Sequence, residues 1–265
     1  MSSQKVFIVT GAYSGIGSAT ARMLLANGHA VIGIDLKQPA YALTAFHRCD
    51  LADPASIDAT LDRLRGRYAS LLNIAGVPIA YGDEVTLKVN LLGLRRFTEG
   101  LWDRLEDGGT VVNVSSLAGN NWRKRRVEIE DLLSKESFED ALAWWHAHKE
   151  TLKADAYMVS KEAVVVYSMQ LAARGLDRRI NVNSVAPGPV DTPLLPTFTR
   201  DTGAAAMAHY IGLIGRAAKP EDIAEAIVVL AERRIGWLNA VNLNVDGGLT
   251  AALSMRWTPR GPAAP

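Results

Sequence analysis

Tyr157 and Lys161 stand four residues apart in the run DAYMVSKEAVVVYS. On a helix, positions i and i+4 share one face about one turn apart, so the Lys161 ammonium can lie beside the Tyr157 phenol. A free phenol titrates near pH ~10, and a cation a few ångströms away favours the phenolate, moving the group toward the range of a general acid or base. The spacing predicts proton exchange with a reacting oxygen. Ser115 and Ser116 end the apolar run GGTVVNVSS and offer hydroxyls that could orient such an oxygen. In a strand their side chains face opposite ways, so only one of them can meet the phenol.

A second constellation lies near the N-terminus. TGAYSGIG places Gly11, Gly15 and Gly17 between an apolar strand and a helix, with Tyr13, Ser14 and Ile16 completing the turn. Such a turn lets backbone approach a pyrophosphate and presents a helix N-terminus to its charge. Asp35 ends the next strand, 18 residues beyond Gly17 and followed by Leu36. That is close to the ~20-residue spacing expected of a carboxylate that binds a ribose diol. A carboxylate there repels a 2′-phosphate, so the pattern predicts NAD rather than NADP, with Lys37 the nearest cation that could compensate.

The elements that must hold these groups are legible as alternating runs. VFIVT, HAVIGID, HRCD, SLLNIAG, GGTVVNVSS, RRINVNSVAPG and AVNLNVDGG read as strands. GSATARMLLANG, PASIDATLDRLRGR and PEDIAEAIVVLAER carry apolar residues at helical spacing. Continuous apolar strands alternating with helices predict an α/β fold, a Rossmann-type doubly wound parallel sheet of about seven strands covered on both faces. The 265 residues suit one domain. The tail from Arg256 to Pro265 reads as frayed, or as pinned at a subunit contact.

Composition narrows the partners. With 48% hydrophobic residues, 22% charged and a net charge of +1, nothing points to nucleic acid or a membrane surface, and a small molecule is expected. Cys49 is the single cysteine, which excludes an internal disulfide and a thiolate metal site. His146 and His148 are two apart and do not face each other on a helix, so no metal is expected. The first residues run quickly into VFIV and Gly11, too short a stretch for a signal peptide, and no run spans a membrane; a cytoplasmic location is expected.

Taken together, TGAYSGIG, Cys49-Asp50-Leu51, Asn73-Ile74-Ala75-Gly76, Val89-Asn90, Val114-Ser115-Ser116, Tyr157 to Lys161, Pro187-Gly188 and Asp246-Gly247-Gly248 resemble the short-chain dehydrogenase/reductase family along essentially the whole chain. Within it, NIAGVP, KVNLLGL, VAPGPVDTP and VDGGL are similar to bacterial 3α-hydroxysteroid dehydrogenase/carbonyl reductases and coniferyl-alcohol dehydrogenases. The resemblance implies that Asp50 and Leu51 flank the adenine, that Asn73, Ala75 and Gly76 line the cofactor, that Pro187 and Gly188 adjoin it, and that Val190 and Thr192 hold the nicotinamide amide. It also implies a tetrad. Tyr157 would be base for oxidation and acid for reduction, and Ser116, rather than Ser115, would orient the substrate oxygen. Lys161 would lower the Tyr157 pKa and grip the nicotinamide ribose, and Asn90 would hold a water joining Lys161 to solvent.

Three departures stand out. Ile74 replaces a common second asparagine. Only Val77 to Leu87 separate Gly76 from Lys88, too few for the usual helix. Ser116 and Tyr157 are 41 positions apart, so a mainly helical segment of about 117–156 must be inserted beside the site. Within it, Phe138, Leu142 and Trp145 follow the spacing of a packed helix, and Arg123-Lys124-Arg125-Arg126 reads as a solvated surface.

The insertion and a loop of about 190–219 are expected to border the substrate. Leu194, Leu195 and Phe198, with Trp122, Trp144 or Trp145, are candidates to close over a bulky apolar alcohol, and Gly203 and Gly212 could give the loop freedom. The expected activity interconverts a hydroxyl and a carbonyl on a fairly apolar substrate: a steroid-like or cyclic secondary alcohol first, an aryl-allylic alcohol second. A non-catalytic NAD-binding sensor or scaffold is the reading from another class. A homo-oligomer, dimer or tetramer, is expected. If the insertion obstructs pairing through the Tyr157 helix and the one after Asn90, a dimer would use the Pro220 to Arg233 helix and the strand ending at Val245.

Overall fold

A computed structural model describes residues 4–258. The chain runs β1 Val6–Thr10, α1 Gly15–Ala26, β2 Ala30–Asp35, β3 Ala45–Arg48, α2 Pro54–Arg63 and β4 Tyr68–Asn73. It continues through α3 Asp83–Leu87, a π-helical turn Lys88–Gly93, α4 Leu94–Leu101, β5 Leu105–Val114, a 3₁₀ segment Leu117–Arg125, α5 Arg126–Ser134 and α6 Phe138–Leu152. The remainder is α7 Ala156–Arg174, β6 Asn181–Pro187, α8 Leu195–Thr202, α9 Ala204–Ile214, α10 Pro220–Ala231, β7 Asn242–Val245 and α11 Leu249–Ser254. All seven predicted strands form, in one parallel sheet ordered β3-β2-β1-β4-β5-β6-β7.

Both faces of the sheet are covered, so the central strands are apolar throughout; every residue of β4 is buried. Alternate side chains feed separate cores. Phe7 and Val9 pack with Leu24, Ile223 and Ile227 of α1 and α10, whereas Ile8 packs with Ile57, Phe97 and Val164 of α2, α4 and α7. The strand order reverses between β1 and β4, and ligands of such sheets bind outside the carboxyl ends at that reversal. Gly11, Asp35, Ile74, Ser116 and Gly188 all fall on that edge, at or just after the ends of β1, β2, β4, β5 and β6.

The short connection after β4 makes a 3₁₀ turn Ile79–Tyr81 and the five-residue α3, which runs through the π-helical turn into α4. That turn holds Asn90, and Gly93 at its end packs on main chain: a Cβ there would stand 2.0 Å from the Leu51 carbonyl oxygen. The insertion is helical. Ser137 caps α6, its hydroxyl accepting from the Asp140 amide at 2.9 Å, and Lys153 in the left-handed region (φ 50°) turns the chain into α7. Phe138 and Trp145 are buried and Leu142 packs beside them, so this helix is part of the core, resting on α5 and the π-helical turn. Of the C-terminal tail, residues 259–265 lie outside the described residues.

Candidate active site

Glycine at the first turn is required by contact. A Cβ on Gly17 would stand 2.1 Å from the Gly11 carbonyl oxygen, one on Gly11 (φ 72°) would meet the Ala75 backbone at 2.9 Å, and Gly15 has φ 54°. Ser14, the cap residue of α1, makes no side-chain cap hydrogen bond, so the first-turn amides of the helix point toward the cleft without a side-chain acceptor. Backbone packed this closely at a helix N-terminus fits a pyrophosphate. Asp35 borders the same cleft and is fixed by two amides, Oδ2 accepting from Tyr13 at 3.0 Å and Oδ1 from Lys37 at 3.2 Å. Each carboxylate oxygen keeps a lone pair for a hydroxyl. The Lys37 ammonium lies 5.7 Å from the centre of the Tyr13 ring. Tyr13 thus supplies an amide that sets Asp35, while its side chain stands outside the cleft wall.

A single cleft of about 710 Å³ brings together Gly11, Ser14, Gly15, Ile16, Gly17, Asp35 and Leu36 at one end. Asp50, Leu51, Ala75 and Gly76 flank it, and Pro187, Gly188, Val190 and Thr192 close the side toward β6. Asp50 is held by its own turn, Oδ1 accepting from Ala52 at 2.8 Å. Asn73 does not reach the wall. Its amide is buried in the sheet, donating to Thr98 Oγ1 at 2.9 Å and Asn113 Oδ1 at 2.8 Å, and Ile74 lines the cleft in its place.

At the other end stand Tyr157, Lys161 and Ser116. Asp155 starts α7, its Oδ1 accepting from the Met158 amide at 2.7 Å, which sets the helix phase that aims Tyr157 and Lys161 at the cleft. Geometry decides between the serines. Ser115 is buried and turned to β6 and β7, bonding the Val185 carbonyl at 3.1 Å and Asn242 Oδ1 at 2.7 Å, whereas Ser116 faces the phenol and caps the 3₁₀ segment through the Ala118 amide at 3.2 Å.

The expected lowering of the Tyr157 pKa is not found in the protein alone. Burial pushes the phenol up to about 12; the Ser116 hydroxyl pulls against that rise and the Asp155 carboxylate adds to it. Burial also brings Lys161 down to about 8, so it is mostly charged at pH 7. The reason is distance and desolvation: Lys161 Nζ donates to the Val114 carbonyl at 3.0 Å and lies 5.7 Å from the Tyr157 ring centre. Asn90 is fully buried and does not line the cleft. Its side chain grips Val77, accepting from the amide at 2.8 Å and donating to the carbonyl at 2.9 Å. Gly76 occupies the slot between, where a Cβ would stand 3.2 Å from Asn90 Oδ1 and 3.3 Å from Lys161 Nζ. Asn90 therefore backs the wall that Lys161 faces.

Beside Tyr157, Leu194, Leu195 and Phe198 line the cleft. The Phe198 ring meets Tyr157 edge-on at 5.4 Å. The tryptophans do not line it. Trp122 packs on the core with Arg123 over its ring at 4.5 Å; Trp144 is buried and donates to Asp131; Trp145 is 1% exposed. α6 rests on α5 and the π-helical turn and buries its large apolar side chains there, which holds Trp144 and Trp145 away from the cleft. The insertion contributes Leu117, Ala118 and Asp155 to the wall instead. Sequence reasoning missed Ile79, Met158, Leu249 and Leu253. The i, i+4 pair Leu249 and Leu253, just after Gly247-Gly248, was a usable signal. Gly203 (φ 92°) separates α8 from α9, while Gly212 lies inside α9. Among the described residues no cluster of three or more potential metal ligands occurs. Nor is any helix among them long and apolar enough to cross a membrane.

A nucleotide cradle at the carboxyl edge of a doubly wound sheet, facing a Tyr-Lys-Ser group, is the arrangement of a nicotinamide-dependent oxidoreductase. The family model described as short chain dehydrogenase matches residues 5–127, and the one described as Enoyl-(Acyl carrier protein) reductase matches residues 141–250. The chain is 36% identical to a coniferyl-alcohol dehydrogenase of Pseudomonas sp., covering 93% of this chain and 97% of that one. It is 33% identical to a cis-4-hydroxycyclohexanecarboxylate dehydrogenase of Sinomonas cyclohexanicum, over 94% and 97% of the two chains. The crystal structure of 3-alpha-hydroxysteroid dehydrogenase from Pseudomonas sp. B-0831 complexed with NADH superposes with a TM-score of 0.78 at 28% identity, over 96% of this chain and 100% of that one. The chain belongs to the short-chain dehydrogenase/reductase family, whose members are oxidoreductases that bind a nicotinamide cofactor.

Proposed function

We propose that the chain is an NAD(H)-dependent alcohol dehydrogenase/carbonyl reductase for a fairly apolar alcohol or ketone. An aryl-allylic alcohol of the coniferyl type is the first candidate, ahead of a steroid-like or cyclic secondary alcohol. The carrying observation is the convergence of the Tyr157 phenol, the Ser116 hydroxyl and the Phe198 ring at the apolar end of a cleft whose other end is the glycine turn and Asp35. The 36% identity to a coniferyl-alcohol dehydrogenase supports placing the aryl-allylic class first.

The residues present fit the dinucleotide. The Gly11 to Gly17 turn would hold the pyrophosphate, Asp35 the adenosine ribose, Asp50 and Leu51 the adenine, and Val190 and Thr192 the nicotinamide amide. When bound, the nicotinamide supplies the hydride acceptor for oxidation and the donor for reduction. Tyr157 takes the hydroxyl proton of the alcohol, or returns it to the carbonyl oxygen, and Ser116 fixes that oxygen by a hydrogen bond. Lys161, charged below about 8, lies 5.7 Å from the centre of the phenol ring, where it would hold the nicotinamide ribose. Leu194, Leu195 and Phe198 keep water from the apolar end.

Reduced-nucleotide absorbance over a panel of coniferyl-type, cyclic and steroidal alcohols tests this reading. Turnover of the aryl-allylic class with NAD is expected; no turnover of any alcohol would leave the sensor or scaffold reading. Asp35 makes NAD the better cofactor, and Asp35→Asn should narrow the NAD over NADP ratio of kcat/KM by ~10-fold, the scale of one charge contact of about 1.4 kcal/mol. Equal efficiency in the wild type would remove that role. α5 overlies α7, which supports a homodimer through α10 and β7; light scattering that finds only monomer at micromolar concentration would refute it.

A further inference from the structure

The basic run Arg123 to Arg126 divides once placed in the fold, and the expectation of a solvated surface fails at one position. Arg123, Lys124 and Arg126 are exposed, but Arg125 turns inward. Its guanidinium makes a bidentate pair with Glu162, Nε to Oε2 at 2.7 Å and Nη2 to Oε1 at 2.6 Å, and Nη2 also stands 2.9 Å from Met158 Sδ. The Glu162 side chain is fully buried and that of Arg125 only 17% exposed. Met158 follows Tyr157 and Glu162 follows Lys161, so one side chain from the insertion touches the neighbour of each member of the catalytic pair, on adjoining turns of α7.

The same 3₁₀ segment meets α7 a second time. Gly119 lies on the main chain of Lys161, where a Cβ would stand 2.7 Å from the carbonyl oxygen, and the segment is capped at its start by Ser116. Ser116 and Tyr157 are 41 positions apart in the chain and must be registered to within a hydrogen bond. A buried carboxylate and guanidinium are costly to desolvate, and an apolar pair would stabilise as well. What the pair adds is direction: a two-pronged contact permits one rotation and one height of the segment on the helix.

We propose that Arg125 is a positioning residue, whose fork on Glu162 and contact with Met158 set the register between the Ser116 segment and helix α7, and with it the placement of the Ser116 hydroxyl against the Tyr157 phenol. This rests on the dehydrogenase reading above. Loss of the fork lets the Ser116 segment slide while the glycine turn, on the far side of the sheet reversal, stays in place. The catalytic step suffers and nucleotide binding does not.

The test compares Arg125→Lys, Arg125→Met and Glu162→Gln with the wild type. Arg125→Met should lower kcat about 10-fold, the scale of a modest misplacement of reacting groups, at unchanged nucleotide affinity. The midpoint of its pH profile for oxidation should move up, because the Ser116 hydroxyl is what opposes the rise of the phenol pKa. Arg125→Lys, keeping charge without the fork, and Glu162→Gln, keeping one prong, should fall between. If Arg125→Met does not fold, Arg125→Met with Glu162→Leu removes the stranded carboxylate and should fold with the same loss of kcat and the same shifted midpoint. Folded variants with wild-type kcat and midpoint overturn the proposal, whatever their thermal stability. A readout independent of turnover is the ¹³C-methyl resonance of Met158, assigned with Met158→Leu. It should move in Arg125→Met, and an unmoved resonance overturns the proposal. Should the wild type oxidise no alcohol with either nucleotide, the dehydrogenase reading fails, and the Met158 resonance still decides the contact.

Discussion

The two ends of the cleft are built by different means. The proposed nucleotide end is made of backbone: glycines whose missing Cβ atoms leave room for main chain, amides at the start of α1 that no side chain caps, and one carboxylate held by two amides, one from the glycine turn and one from its own turn. The proposed substrate end is made of side chains from distant segments. Phe198 comes from α8, Met158 from α7, Ile79 from the short turn after β4, and Leu249 from α11. Backbone devices tolerate few sequences, so they leave fixed motifs; side-chain walls tolerate many, so they leave almost none. A corollary is that the ends should respond to substitution separately, one through nucleotide affinity and the other through turnover and substrate choice.

The hardest test of that separation is the residue at the junction. Tyr157→Phe keeps the ring against Phe198 and removes the proton, so kcat should drop by ~10²-fold or more while NADH titration shows unchanged affinity. Since the phenol must lose its proton to act as base and burial places it high, oxidation should accelerate as pH rises from 7 to 9, and reduction should not. A flat profile for oxidation, with a deuterium isotope effect showing hydride transfer to be limiting, would take Tyr157 out of that role.

A second test concerns the insertion, which borders the cleft through Leu117 and Ala118 but spends its tryptophans on the core. Trp145→Ala should cost about 3–5 kcal/mol of stability, measured by denaturant unfolding, with the order of preferred substrates unchanged. A changed substrate order with little loss of stability would return Trp145 to the substrate site.

The smallest expected effect falls on the wall itself. Phe198→Ala should lower kcat/KM for bulky apolar alcohols by ~10-fold, as removal of an aromatic contact of about 1–2 kcal/mol predicts, and leave small polar alcohols nearly unaffected. If small polar alcohols lose as much, Phe198 acts through Tyr157 rather than by lining a hydrophobic wall. Limited proteolysis with and without an apolar alcohol sharpens the same point: α8 and α9, joined at Gly203, should be protected when the cleft is filled.

The sequence by itself determined the strands, their parallel pairing in a sheet covered on both faces, the glycine cradle with Asp35, and the spacing of Tyr157 and Lys161, because each depends on local periodicity or on a backbone that only certain residues allow. It also determined that 41 positions between Ser116 and Tyr157 needed an extra segment beside the site. Tertiary structure alone decided where that segment's groups went. Trp122, Trp144 and Trp145 turned to the core, and Arg125 left its exposed neighbours for Glu162. Asn73 and Asn90, expected as cofactor-lining and catalytic groups, both lie buried behind the wall, one bridging β4 to β5 and the other holding Val77. The phenol pKa followed the same rule. Spacing put a lysine near Tyr157, but desolvation, which no motif shows, pushed the phenol up and the ammonium down. Local rules select the elements and their backbone turns. Which long side chain faces a cleft and which faces a core is settled only when helices far apart in the chain compete for the same apolar surface.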